Sequence, residues 1–296
     1  MTGLLLVDKP AGMTSHDVVD RIRKAAHIRR VGHTGTLDPA ATGLLILCLG
    51  KATRLSEHLI DLDKTYEGIM RLGVVTDSYD LDGEVREQNE VPPDLTATRI
   101  QEACARFTGR IEQVPPMVSA VKVGGQRLYK MARKGEEVER KARTVTVHEF
   151  DVLGYDPPDV NILIRCTRGT YVRSLCHDAG LILGCGATLA ALRRTWVGRH
   201  SVDGARPVDA FEKPEDVQAA LVSMDKALDM PEVVVGEAGQ RILTNGGMII
   251  RANLRSECPV AEGWVQIKAD NGRLLALGVV QPSAAGARIQ PKRVFI

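Results

Sequence analysis

Residues 32–49 join a tightly shaped loop to an uninterrupted apolar run. The loop is Gly32-His33-Thr34-Gly35-Thr36-Leu37-Asp38-Pro39-Ala40-Ala41-Thr42-Gly43, and Leu44-Leu45-Ile46-Leu47-Cys48-Leu49 follows it. Glycine opens backbone angles closed to other residues, while proline removes a donor and disfavours helix at Asp38. The segment therefore reads as a fixed turn presenting Asp38 and His33. Six consecutive apolar residues suit a buried strand. A carboxylate held at the mouth of such a strand can act as a nucleophile or a base. It can equally cap nearby backbone amides, as aspartates in turns commonly do.

Composition narrows the classes. At 296 residues the chain suits one large domain or two, and 44% hydrophobic with 26% charged residues is globular. Leu4 to Val7 is too short an apolar run for an export signal, and the charge-free stretch Ala179–Leu192 is cut by Gly180, Gly184 and Gly186. A soluble, cytoplasmic protein is expected. The six cysteines (48, 104, 166, 176, 185, 258) show no C-x-x-C spacing and read as reduced thiols, with no metal site. A P-loop fails between Gly43 and Ala52, because Leu45 stands where its first glycine belongs and Ala52 has no hydroxyl. An EF-hand fails at Asp77, Asp80 and Asp82 on ligand spacing. No cofactor is expected.

Along the chain, Leu4–Val7 reads as a strand, and Thr14 or Ser15 caps a helix with Val18, Val19, Ile22, Ala25 and Ala26 inward. Lys51–Ile60 reads as a helix with Leu55, Leu59 and Ile60 inward, Ile69–Val75 as a strand, and the segment from Thr96 or Thr98 to Phe107 as an amphipathic helix. Residues 144–153 and 161–167 alternate as strands across a Pro157-Pro158 turn. In Arg168-Gly169-Thr170-Tyr171-Val172-Arg173, the same alternation puts Tyr171 and Arg173 on one face.

Charge is unevenly placed although the formal net charge is only +2. Val75–Asp94 carries seven acids against one base, which reads as a solvated acidic turn. Ser119–Val147 carries eight bases against three acids, and Arg127, Lys130 and Lys134 fall at helical spacing on one face with Tyr129 among them. Residues 233–296 carry eight bases against four acids. Basic patches with an interleaved aromatic suit contact with an RNA backbone.

The loop G-H-T-G-T-L-D-P-A-A-T-G resembles the catalytic motif of the TruB-type pseudouridine synthases, every fixed position being met. Asp8-Lys9-Pro10-Ala11-Gly12-Met13-Thr14-Ser15, Asp63-Lys64-Thr65-Tyr66, Thr76-Asp77-Ser78-Tyr79-Asp80, Gly169-Thr170-Tyr171-Val172-Arg173 and the tract from Gly184 through Leu192-Arg193-Arg194 to Gly198 resemble further motifs of that family. The resemblance covers about residues 3–200. It implies an α+β pseudouridine synthase fold: a central, mostly antiparallel mixed sheet flanked by helices, with an RNA-binding thumb inserted at about 117–143. A weaker resemblance of residues 231–296 implies a small PUA-like β-barrel after a catalytic domain spanning 1–230.

By the same resemblance Asp38 is the catalytic residue, His33 fills the space vacated by a flipped base, Tyr66 stacks on the uracil, Tyr171 and Leu189 line the pocket, and Arg173 pairs with Asp38. Asp80 helps order the site. Lys9, Lys122, Arg127, Lys130, Lys134, Arg288, Lys292 and Arg293 are assigned to RNA. The implied reaction isomerises uridine to pseudouridine in the T-loop of tRNA, without cofactor, membrane or obligatory protein partner, in a monomer. Two rivals stand beside it: an RNA-guided synthase, and a tRNA-folding chaperone for which catalysis is dispensable.

Overall fold

The computed structural model describes residues 1–119, 122, 123, 126, 127, 131, 138–283 and 287–296. Its organising element is the apolar run, which forms the strand Thr42–Leu49 and is buried on both faces. Alternate side chains enter two different cores: Leu44, Ile46 and Cys48 join one, and Leu45, Leu47 and Leu49 the other. This is why the run is continuous rather than alternating.

In chain order the first elements are β1 (Gly3–Lys9), α1 (Ser15–Ala26), β2 (Val31–His33), β3 (Thr42–Leu49), α2 (Ser56–Asp61), β4 (Lys64–Leu72), β5 (Val74–Thr76), β6 (Val85–Gln88), α3 (Ala97–Ala105) and β7 (Gly109–Gln113). Two short paired strands follow, β8 (Lys122–Val123) and β9 (Gln126–Arg127). The chain continues through β10 (Arg143–Asp156), β11 (Asp159–Cys166), α4 (Val172–Leu183), β12 (Ala187–Val197), β13 (His200–Ser201), β14 (Arg206–Pro207) and α5 (Pro214–Ala219). The remaining elements are β15 (Glu232–Val235), α6 (Glu237–Thr244), β16 (Ile249–Ile250), β17 (Gly263–Ala269), β18 (Leu274–Gln281) and β19 (Arg288–Val294).

The large sheet runs β14-β1-β3-β12-β4-β11-β10-β7, with β2 on β3 and β13 on β12. Only β1–β14 and β3–β12 pair in parallel, so the sheet is mixed and mostly antiparallel. One face of α1 covers it with Val18, Val19 and Ile22, and Thr14 caps the helix reciprocally with Asp17. A third core gathers Met70, Ile100, Phe150, Ile162 and Leu175 from β4, α3, β10, β11 and α4.

The C-terminal strands form a separate five-stranded sheet, ordered β15-β17-β18-β19-β16 and packed with α6. Among the described residues it curls into a half-barrel, in keeping with the small β-barrel expected from the sequence. Its Leu274, Leu277 and Phe295 pack into the core of Leu4, Leu6 and Leu55. Arg293 pairs with Glu57 at 2.7 Å, and Lys51 Nζ donates to the Phe295 carbonyl at 3.0 Å.

Three local expectations change. Residues 50–55 form a 3-10 helix before α2, and Ile60 is 38% exposed rather than inward. Three residues per turn alter the phase of the apolar face. Tyr171 and Arg173 belong to the start of α4, not to a strand: Tyr171 is its N-cap residue and Arg173 lies within it. Arg127 sits on β9, so it shares no helix face with Lys130 and Lys134, which lie outside the described residues.

Candidate active site

The loop between β2 and β3 is fixed from several sides. Ser15, at the start of α1, accepts from the Leu37 amide at 2.9 Å and donates to the Leu37 carbonyl at 3.1 Å. The Gly12 amide and the Lys9 ammonium both donate to the Pro39 carbonyl, at 2.9 and 3.1 Å. Asp38 closes a turn in which its carbonyl accepts from Ala41 N at 3.1 Å. The Asp38 carboxyl projects half-exposed from this frame.

Arg173 meets it from α4. Its side chain is only 4% exposed and its two terminal nitrogens serve four acceptors: Asp38 Oδ2 at 3.0 Å, Asp80 Oδ2 at 3.3 Å, the Ser78 carbonyl at 3.0 Å and the Val118 carbonyl at 2.9 Å. A planar fork of donors suits such convergence. Burial raises the Asp80 pKa, which a hydrogen bond from Ser78 and the Arg173 charge partly offset. Asp38, Asp80, Arg173, Leu189 and Leu192 line one cleft. The turn carrying Asp80 is tied to β12 by Leu189 N to the Tyr79 carbonyl at 3.0 Å and Leu81 N to the Leu189 carbonyl at 3.2 Å.

Tyr171 is positioned by Gln113, a buried residue that no local pattern singles out. Gln113 Oε1 accepts from Tyr171 N at 2.7 Å and Gln113 Nε2 donates to Tyr171 O at 3.0 Å. Burial pushes the Tyr171 and Tyr66 phenols above their usual range, so both stay protonated. His33 is half-buried and accepts from Gly35 N at 3.4 Å. Burial, then the Arg194 and His16 charges, hold its pKa below normal, so the ring is neutral at pH 7.

Lys9 departs from expectation. It is 0% exposed, and Nζ donates to the carbonyls of Pro10 (2.8 Å), Met13 (2.7 Å) and Pro39 (3.1 Å). All three ammonium hydrogens are used inside the protein, so none reaches RNA. Desolvation brings its pKa down to about 8. Its role is to shape the Asp38 loop. Of the other residues assigned to RNA, Arg288 and Lys292 are exposed on β19, while Arg293 is engaged by Glu57. Lys122 and Arg127 lie on the β8–β9 hairpin. Among the described residues no group of three or more His, Cys, Asp or Glu converges as metal ligands. No described helix is long and apolar enough to cross a membrane.

The geometry has counterparts. Residues 23–172 match the model of the TruB family pseudouridylate synthase N-terminal domain, and residues 173–230 match the tRNA pseudouridylate synthase B C-terminal domain. The chain belongs to the TruB family of pseudouridine synthases. It is 40% identical to tRNA pseudouridine synthase B of Pseudomonas aeruginosa over 100% of this chain and 96% of that one. It is 53% identical to the protein of that name from Opitutus terrae over 72% of this chain and 88% of that one. Among solved structures, an H/ACA RNP bound to a substrate RNA containing 2'-deoxyuridine has a chain similar to this one at TM-score 0.75 and 26% identity, covering 99% of this chain and 85% of that one. A Cbf5-Nop10-Gar1 complex gives TM-score 0.74 at 28% identity, covering 99% of this chain and 85% of that one. The fold is that of a pseudouridine synthase, and the relatives are isomerases acting on uridine.

Proposed function

We propose that this protein is a tRNA pseudouridine synthase acting on uridine 55 of the T-loop. The reaction breaks the N1–C1′ bond, turns the base, joins C5 to C1′, and exchanges the C5 proton for one on N1. The observation that carries the reading is the Asp38 carboxylate, presented at a cleft and held at 3.0 Å by the buried Arg173. An acid fixed in this way suits either attack on the substrate or abstraction of a ribose proton. The target nucleotide has to leave the base stack, which costs roughly a few kcal/mol. Leu189 and Tyr171 offer apolar walls, Tyr66 a stacking face, and His33 a neutral ring for the vacated space.

Residues 1–230 would form the catalytic unit and 231–296 an RNA-binding, PUA-like unit, with Lys122, Arg127, Lys130, Lys134, Arg288 and Lys292 meeting phosphates of the T-arm. The protein would act as a monomer without an obligatory partner. The likeness to chains from H/ACA assemblies supports an RNA-guided reading, but identity there is 26–28% against 40–53% for the relatives named as tRNA enzymes.

Tritium release from C5-labelled uridine in unmodified T-arm RNA tests this, with wild type and Asp38→Asn compared. Release by wild type alone, without added protein or guide RNA, is expected. Tight binding without release would turn the reading to the guided or chaperone role. Equal release by both proteins would keep the enzyme and remove Asp38 from its chemistry.

A further inference from the structure

Arg194 is a buried cation that no step above uses. It is 2% exposed, and no carboxylate among the described residues pairs with it. A buried charge without a counter-charge is costly unless its donors are well satisfied, so its retention calls for a reason.

The strand around it is built to aim it. Arg194 lies on β12 directly opposite Tyr66 of β4 and beside Gly43 of β3. Register shifts fall between Leu189 and Ala191 and between Arg194 and Trp196. Between these two shifts the register is regular and successive side chains alternate in direction. Its neighbour Arg193 points the other way and forms a two-pronged pair with Asp8 at 2.8 and 3.0 Å. The Arg194 guanidinium then reaches the loop: Nε donates to the Leu44 carbonyl at 2.8 Å and Nη2 to the Gly35 carbonyl at 3.1 Å. Gly35 precedes Asp38 and Leu44 follows it, so a single side chain bonds both feet of the catalytic loop. Its charge also acts on the Tyr66 hydroxyl and on His33.

We infer that Arg194 is a positioning residue of the active site, stapling the two feet of the Asp38 loop together and holding them against the strand that carries Tyr66. The placement of the Asp38 carboxylate relative to the Tyr66 ring is thereby fixed from below. The reaction part of this inference rests on the synthase reading; the staple does not.

Arg194→Met removes staple and charge, and Arg194→Lys keeps the charge while losing the two-pronged reach. Expected for Arg194→Met is a fall in kcat of about 10²-fold with KM little changed, as for a displaced reacting group. Arg194→Lys should recover part of it. A second measurement needs no RNA: hydrogen exchange at the backbone amides of residues 33–44 in wild type, Arg194→Lys and Arg194→Met, with circular dichroism showing that each is folded. Faster exchange in this loop is expected for Arg194→Met, because two of its carbonyls lose their donor. Unchanged loop exchange, or a folded Arg194→Met protein with wild-type kcat, would overturn the inference. If wild type itself releases no tritium, the synthase reading fails, and the exchange measurement still decides the staple.

Discussion

Arg173→Lys separates charge from geometry at the heart of the site. Arginine satisfies four acceptors from three separate segments: the Ser78–Asp80 turn, the Val118 carbonyl and the Asp38 loop. Lysine has one nitrogen and three hydrogens on a flexible stem, so it cannot span all four. At least one buried carbonyl loses its partner, at about 1–3 kcal/mol. Asp80 keeps a nearby cation, so the larger cost of about 3–5 kcal/mol for an abandoned buried charge belongs to Arg173→Met instead. The half-exposed Asp38 adds little to either figure, since water screens its share.

The catalytic cost is separate from the stability cost. With the fork gone, Asp38 is no longer held by the direction of a fixed N–H, and a misplacement near 1 Å costs about 10²-fold in rate. Single-turnover tritium release at saturating RNA should therefore fall by about that factor in Arg173→Lys, at a temperature where circular dichroism shows the fold intact. RNA affinity should hardly move, because a 4%-exposed side chain makes no contact with a backbone outside. Wild-type turnover in a folded Arg173→Lys protein would refute the argument from geometry and leave charge alone as what the site needs.

Further outcomes follow from other parts of the structure. Lys9→Met should lower the thermal midpoint, because three carbonyls lose their donor, while the slope of log affinity for RNA against log salt stays unchanged; a shallower slope would return Lys9 to the RNA surface. Gly43→Ala should be strongly destabilised in a denaturant titration, since a Cβ there would lie 2.3 Å from the Arg194 carbonyl oxygen at φ +100; an unchanged midpoint would contradict the close β3–β12 approach. Burial pushes the Cys48 thiol up to about 12. Its folded pKa is thus above the ordinary ~8.5, so its contribution is intact below that pH and is lost as pH rises toward the folded value, by at most about 1.4 kcal/mol per pH unit. Cys48→Ala should accordingly show a flatter loss of stability between pH 9 and 10 in urea titrations, and an identical slope would show that this thiol is not protected by the fold.

The parts of the site legible in the sequence are those whose chemistry and local backbone coincide. Asp38 stands in a loop whose glycines and proline announce a fixed turn, and Leu44–Leu49 shows a two-faced buried strand because every residue is apolar. The resemblance pairs Arg173 with Asp38, and the pair is present at 3.0 Å, yet strand alternation does not account for its direction, because Arg173 lies in a helix. It projects from the first turn of a helix whose preceding residue, Tyr171, is clamped by a glutamine 58 positions earlier. No local pattern carries that information.

Buried cations are harder still to read, because composition marks a lysine or arginine as a surface residue and usually does so correctly. Lys9, Arg173 and Arg194 are each almost fully buried, and all or half of their donors go to backbone carbonyls brought together by loops and neighbouring strands. Apart from Leu44 on β3, those carbonyls belong to irregular segments, so the loops need internal donors just where the Asp38 carboxylate is held without regular structure. A long cation supplies several donors from one position and leaves room for a cleft above. The loop therefore gets its rigidity from cations set beneath it, and each of the three bonds a carbonyl of that loop or of a segment packed beside it. In a chain with a carboxylate-bearing loop of this kind, an arginine or lysine on the strand next to the loop's feet is the first place to look for its support. The Arg194 variants test that rule directly: a loop held by its own turn chemistry would keep kcat when the cation is removed.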